Sequence, residues 1–209
     1  HLRIQARDLL KGFRARDPDA LSRVRSLHPR LQSLTNEQAP DEHLVLADAQ
    51  LAIARDYDFE TWSKLKEHVL AERVEVFKTA VRERDYDAVA RCLSDDTLAS
   101  CLNDPLFDYE SPALVWACTK ADIRILGMLI DKGARIDAKS RWLPGAYGVL
   151  HGVSSEVAAF LTEKGARLDV HSATELDMRP ELERILDREL DLVNARGPDG
   201  QTPIHFAKT

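Results

Sequence analysis

Seven histidines and three cysteines are the side chains of this chain that could hold a metal ion or attack a substrate. None of them forms a local catalytic or metal-binding motif: there is no His-Glu-x-x-His, no Gly-x-Ser-x-Gly, no glycine-rich phosphate loop and no calcium loop. Cys92, Cys101 and Cys118 cannot all pair and lack Cys-x-x-Cys spacing, so we expect reduced thiols, with Cys92 and Cys118 on apolar helix faces. We therefore predict no catalytic residue, no metal ligand and no cofactor.

Composition supports a soluble, globular protein, because 44% of the residues are hydrophobic and 31% are charged, and the reduced thiols predict a cytoplasmic location. The longest apolar run, residues 113 to 118, is far shorter than the roughly 20 residues of a membrane helix. Adjacent carboxylates such as Asp95 and Asp96 are interpreted as solvated helix ends. We expect neither membrane insertion nor an acid–base pair.

The first thirty residues are basic although the whole chain has a net charge of −6. They contain eight Arg or Lys residues against three Asp residues. Solvated helix faces explain this surplus more simply than nucleic-acid binding, because no Lys/Arg run and no interleaved aromatic residues accompany it. The alternative is a nucleic-acid-binding face formed by Arg3, Arg7, Lys11, Arg14, Arg16, Arg23 and Arg25.

The segment KSRWLPGAYGVLH, residues 139 to 151, contains too much Gly and Pro for a helix. It also contains Trp142 and Tyr147, which are unusual in an idle linker. Taken alone, it could be a core strand, an active-site loop or a surface that contacts another molecule.

Helical spacing of apolar residues predicts four helices in the first part of the chain. Leu2, Ile4, Ala6, Leu9, Leu10 and Phe13 mark the first, and Asp17 followed by Pro18 predicts the capped start of a second, which ends at His28-Pro29. After a polar stretch from Gln32 to Glu42, a third helix is predicted over residues 44 to 54 and a fourth from Trp62 through Phe77. Together they predict a small helical bundle.

From about Val74 the sequence becomes periodic. IDKGARIDA at residues 130 to 138 is repeated 32 residues later as LTEKGARLDV, with weaker echoes in CLND and DLVNA. The echoes place Asn103, Asp137, Asp169 and Asn194 in one recurring position. Gly133 and Gly165 each follow an apolar helical stretch, where a helix end favours a left-handed residue.

The segment DGQTPIHFA, residues 199 to 207, resembles the opening of an ankyrin repeat, and GARIDA and GARLDV resemble its close. In that pattern Asp-Gly forms a turn, Thr caps the first helix before Pro, and the His side chain bonds back to the turn backbone. The resemblance covers residues 74 to 209. Residues 46 to 69 also resemble a helical segment that precedes the repeats in some bacterial ankyrin proteins.

The repeats depart from the ankyrin pattern in several places. Trp116 occupies a position usually held by a small Ala, which predicts wider packing or a core ring. The turn before His151 is longer, since thirteen residues separate Ala138 from His151 whereas ten separate Ala195 from His205. Residues 172 to 175 predict a capping box, His171 is expected at a turn tip, and the last repeat is incomplete, so we expect the natural chain to continue.

The resemblance implies an all-α protein with an N-terminal helical bundle, residues 1–72, followed by a short, irregular ankyrin-repeat α-solenoid, residues 73–209. It implies a non-catalytic protein-binding module whose projecting turns and first helices contact a protein partner. Carried over residue by residue, the partner-binding face comprises Asp108, Tyr109, Lys139, Arg141, Trp142, Tyr147, His171, Arg196 and Gln201. Whether Trp142 and Tyr147 bind a partner or pack against neighbouring turns stays open. An alternative is a regulatory or substrate-recruiting domain of a longer enzyme.

Overall fold

A computed structural model describes residues 1–32, 43–120, 122–143 and 145–207. These residues form an all-α fold, in which β-type pairing is limited to two isolated bridges. The polar stretch predicted from Gln32 to Glu42 lies, beyond Gln32, outside the described residues. The α-helices are α1 Leu2–Arg14, α2 Pro18–Leu27, α3 Leu46–Asp56, α4 Trp62–Glu83, α5 Tyr86–Leu93, α6 Asp96–Ala99, α7 Ala113–Cys118, α8 Ile123–Asp131, α9 Ser155–Glu163, α10 Val170–Glu175 and α11 Arg179–Arg188.

The described residues fall into two compact units, residues 1–71 and residues 72 onward, and the division falls within α4. In the N-terminal unit, α1, α2 and α3 pack pairwise against one another. The core consists of small and medium apolar side chains, among them Ala6, Leu9, Phe13, Val24 and Ile53. Burial of this apolar surface is the main stabilising contribution to the unit.

The start of α2 has the N-cap and the first-turn proline that the sequence predicted. The Asp17 carboxylate accepts a hydrogen bond from the Ala20 backbone N–H at 2.9 Å, and Pro18 occupies the first helical turn. The first predicted helix is confirmed as α1, in which Ala6, Leu9 and Phe13 are buried whereas Ile4 is 58% exposed.

In the C-terminal unit, short helices pack as successive pairs. α7 and α5 both pack against α8, and α10 packs against α11 and against a 3-10 turn at Pro203–Phe206. Gly133 and Gly165 follow the ends of α8 and α9 with φ values of +92° and +100°, as the sequence predicted. Asn103 bridges across 30 residues, since its side chain donates to Gly133 O at 3.0 Å and accepts from Arg135 N at 2.8 Å.

The start of α10 differs from the prediction. Asp169, not Ser172, is its N-cap, and the two side chains each bond the other's backbone N–H, at 2.8 Å and 2.9 Å. The capping box therefore begins three residues earlier than predicted. As a result α10 includes His171, which the sequence placed in a projecting turn.

Candidate functional site

Three turns of the C-terminal unit carry most of the predicted partner-binding residues. Turn 1 is residues 107–111, turn 2 is residues 139–148 and turn 3 is residues 197–201. An isolated bridge between Phe107 and Ser111 closes turn 1, and another between Lys139 and Gly148 closes turn 2. A backbone hydrogen bond connects turn 2 to turn 1, from Arg141 N to Glu110 O at 3.1 Å.

Turn 1 holds Tyr109 in a left-handed conformation, with φ of +60°, and its side chain is 61% exposed. A bulky residue rarely adopts this conformation, so the surrounding contacts must hold it. The neighbouring Asp108 supplies them, because it accepts from Trp116 Nε1 at 2.9 Å and from Lys78 Nζ at 3.1 Å. These two hydrogen bonds lower the pKa of Asp108 and keep it ionised.

Hydrogen bonds between Ser140 and Tyr147 join the two ends of turn 2. Ser140 N donates to Tyr147 O at 2.8 Å, and Tyr147 N donates to Ser140 Oγ at 2.9 Å. The His151 ring then supports the end of the turn, since its Nδ1 accepts from Gly148 N at 2.8 Å. This is the predicted bond from a repeat histidine to the turn backbone.

Turn 3 fixes the two aromatic side chains of turn 2. Asp199 accepts from Trp142 Nε1 at 2.9 Å and from the Tyr147 hydroxyl. Burial, together with the hydrogen bond to Asp199, raises the pKa of Tyr147 to about 12, so this hydroxyl remains a donor at neutral pH. Trp142 and Tyr147 are therefore tied by their polar atoms, while their rings stay partly exposed.

A cavity of about 340 Å³ opens among these turns. Its aromatic walls are Tyr109, Trp116, Trp142 and Tyr147, and the Tyr109 and Trp142 rings meet edge to face with centroids 5.1 Å apart. Its volume lies in the range of small-molecule and side-chain pockets. Rings with a polar tip and little side-chain entropy are also the side chains that dominate binding energy at protein interfaces.

Charged groups line the same cavity at Asp108, Asp199 and Lys120. Lys120 Nζ lies 5.2 Å from the centroid of the Trp116 ring, which is cation–π distance, and donates to Thr119 Oγ1 at 3.2 Å. The cavity can therefore bind a group through ring faces and a carboxylate together.

The structure divides the nine predicted partner-binding residues among three places. Asp108, Tyr109, Trp142 and Tyr147 line the aromatic cavity. Lys139, His171 and Arg196 line a separate pocket beside α10. Arg141 and Gln201 are exposed on turns 2 and 3. Arg196 also braces turn 3, because its Nη1 donates to Gly200 O at 2.9 Å.

The prediction that His171 sits exposed at a turn tip was wrong. Its side chain is buried, its Nε2 lies 3.1 Å from Ala195 O, and its ring meets Phe206 edge to face at 5.6 Å. Because α10 begins at Val170, His171 lies inside this helix. Its ring faces Ala195 and Phe206 instead of solvent. We assign it a structural role.

Sequence reasoning missed Asp199 and Lys120 as members of the site. Asp199 was interpreted only as part of the Asp-Gly turn that opens a repeat. The lengthened turn 2 was the available signal, because an extended turn with two polar-tipped rings needs an acceptor in a neighbouring turn. Lys120 lies two residues after the end of α7 and has no distinguishing motif.

Within the described residues, we find no cluster of thiols or candidate metal ligands that would form a second site. Cys118 is buried, and burial raises the pKa of its thiol to about 12. Cys92, predicted on a buried apolar face, is only partly buried. Over the residues that the structure describes, His, Cys, Asp and Glu do not gather in groups of three that could hold a metal ion.

The basic residues of the alternative nucleic-acid-binding face lie in the N-terminal unit, and some of them bond to other residues of that unit. Arg3, Arg7 and Lys11 are exposed on α1. Arg14 donates to Leu44 O at 3.3 Å and Arg23 pairs with Asp56.

Comparison with protein-family models, with curated proteins and with solved structures found no match to this chain. In the described part of the chain, the helices lack the combined length and apolar character needed to cross a membrane.

Asp169 connects the start of α10 to His151, and its protonation should affect stability. Its carboxylate caps α10 and faces His151 Nε2 at 3.5 Å. Burial alone would raise the pKa of Asp169, but the His151 contact and the Ser172 hydrogen bonds outweigh it and lower the pKa well below the ordinary value.

We expect Asp169→Asn to lower the free energy of unfolding most at neutral pH and less in acid. A lowered folded pKa stabilises the protein above the unfolded carboxyl pKa of about 4, and this contribution disappears as the pH falls through the folded value. Urea unfolding at about pH 7, 5 and 3 measures the difference. Asp137→Asn, an exposed residue in the same recurring position, is the control; a wild-type to Asp169→Asn difference that is independent of pH would contradict the assignment.

Proposed function

We propose that the chain is a protein-binding module of the ankyrin-repeat class that acts without catalysis. The aromatic cavity among turns 1, 2 and 3 is the observation that carries the proposal. Its rings come from Tyr109, Trp142 and Tyr147 on projecting turns, and it also has a charged lining. Protein interfaces obtain most of their binding energy from a few such side chains around a pocket.

The ankyrin assignment has support from contacts as well as from the sequence motifs. Left-handed Gly133 and Gly165 end equivalent helices, and Asn103 bonds the backbone one repeat onward. His151 bonds the turn backbone before it, and His205 Nδ1 lies 2.9 Å from Thr202 Oγ1. Each of these contacts either recurs at an equivalent position or connects one helix pair to the next, as expected of stacked repeats.

The ordering of turn 2 explains how it can serve as a binding surface. Asp199 holds the polar atoms of Trp142 and Tyr147, so the rings are positioned before a partner arrives. Preordered side chains lose less conformational entropy on binding. Packing between turns and partner binding are therefore compatible roles for these two residues.

Capture from the native cell, followed by affinity measurement on the recovered partner, tests the proposal. We expect Trp142→Ala to weaken the partner's Kd about tenfold or more, because a ring at the cavity is removed. Val76→Ala is the matched control, since Val76 is 54% exposed on α4 and does not line the aromatic cavity. Circular dichroism must show both variants folded, and equal affinity of all three proteins would reject the proposed surface.

A further inference from the structure

The aromatic cavity contains two similar halves, each built from a tryptophan and an aspartate. In the first half Trp116 Nε1 donates to Asp108 Oδ2 at 2.9 Å. In the second half Trp142 Nε1 donates to Asp199 Oδ1, also at 2.9 Å. Each half thus presents a tryptophan ring beside a carboxylate.

The protein's own lysines supply cations to the first half. Lys78 Nζ pairs with Asp108 at 3.1 Å, and Lys120 Nζ lies over the Trp116 ring at 5.2 Å. The negative carboxylate and the negative ring face are therefore both compensated within the chain.

The second half lacks an equivalent cation among the described residues. Within the described part of the chain, Asp199 accepts from two neutral donors, the Trp142 indole and the Tyr147 hydroxyl, and Lys and Arg side chains are not found over the Trp142 ring. A carboxylate has about four acceptor positions, so two donors leave capacity for more. The Tyr109 ring stands next to Trp142 and provides a second aromatic wall.

We propose that the half-cavity formed by Tyr109, Trp142 and Asp199 binds a cationic side chain, Arg or Lys, of the protein partner. The inference rests on the proposed protein-binding function and names the chemistry that the cavity recognises. The net charge of −6 also favours approach of a cationic segment. Lys120 repels a second cation at the Trp116 half and so directs the incoming group to the Trp142 half.

A titration with short peptides tests this chemistry without the native partner. The probes are acetyl-Gly-Arg-Gly-amide and acetyl-Gly-Lys-Gly-amide, and the controls replace the central residue by neutral citrulline or by Glu. We expect the cationic peptides to shift the indole N–H signal of Trp142 and the amide signal of Asp199 in nitrogen–proton NMR spectra. Saturation should fall in the range of about 1–10 mM, because an isolated exposed cation–π contact and one ion pair are weak.

Two charge variants should change this affinity in opposite directions. Asp199→Asn removes the attracting charge and should weaken the Arg peptide about two- to fivefold, whereas Lys120→Met removes the repelling charge and should strengthen it by about twofold. Asp191→Asn, an exposed acidic residue outside the cavity, is the matched control and should leave the Kd unchanged.

A third variant guards against a structural effect of Asp199→Asn. Tyr109→Leu removes an exposed ring that has no hydrogen bond to Asp199, and it should also weaken the Arg peptide. No saturable shift with either cationic peptide, equal shifts with citrulline, or preference for the Glu peptide would overturn the inference. If these peptide results were negative but a protein partner still bound, only the cation-binding inference would be rejected. If the cationic peptides bound but a protein partner could not be found, only the proposed protein-binding function would be contradicted.

Discussion

Trp116→Ala is expected to lower the free energy of unfolding of the C-terminal unit by about 3–5 kcal/mol, the cost of truncating a large buried aromatic residue. Trp116 is 2% exposed and packs with Phe77 and Phe107, whose ring centroids lie 6.5 Å and 5.3 Å away. The substitution also removes the indole donor to Asp108, which holds turn 1. Urea unfolding followed by far-UV circular dichroism measures the loss.

Two further variants separate the contributions of this ring. Trp116→Phe keeps most of the packing but removes the Asp108 hydrogen bond, so it should cost less than Trp116→Ala. Trp142→Ala should cost only about 1–2 kcal/mol, because its ring is 38% exposed and its contacts are one hydrogen bond and one edge-to-face pair. If Trp142→Ala destabilised the unit as much as Trp116→Ala, Trp142 would be a packing residue and not an anchor for a partner.

Gly197→Ala is expected to destabilise the C-terminal unit by about 1–3 kcal/mol, in the range measured for overpacking. A Cβ at this position would lie under 3.0 Å from three atoms of the His171 ring. The ring cannot easily move away, because it is buried between Ala195 O and Phe206. Thermal and urea unfolding should both shift to lower stability.

Gly127→Ala provides the matched control for that experiment. A Cβ there would contact Phe160 at an ordinary 3.7 Å, and the position is inside α8. Replacing a helical Gly by Ala should therefore be neutral or stabilising by up to about 1 kcal/mol. If Gly127→Ala and Gly197→Ala changed the free energy of unfolding equally, the close packing of Gly197 against the His171 ring would not be the cause.

Local features of the fold could be predicted from the sequence because their partners lie a few residues away. Asp17 caps α2 through Ala20, and Gly133 and Gly165 end helices through their own backbone conformation. The periodic Gly-Ala segments gave the positions of α8 and α9 for the same reason. The helix boundaries follow from propensity and capping, which act over one or two turns.

The candidate site could be predicted only in part, because it depends on contacts between distant turns. The Trp142 to Asp199 hydrogen bond spans 57 residues, and the His171 to Ala195 contact spans 24. A shift of the α10 start to Val170 was enough to move His171 from a predicted turn tip into the interior. The lengthened turn 2 was visible in the sequence, but the acceptor for its rings was not.

The cluster at Asp199 has a consequence for the order of folding. Its two hydrogen bonds to turn 2 join residues 57 and 52 positions apart, whereas the helix pairs between them close through shorter loops. Closing a long loop costs more chain entropy, so we expect the hydrogen bonds from turn 2 to Asp199 to form after the intervening helices. We therefore expect the aromatic cavity to be completed late in folding, so that a partner of the proposed kind would distinguish fully folded molecules from intermediates.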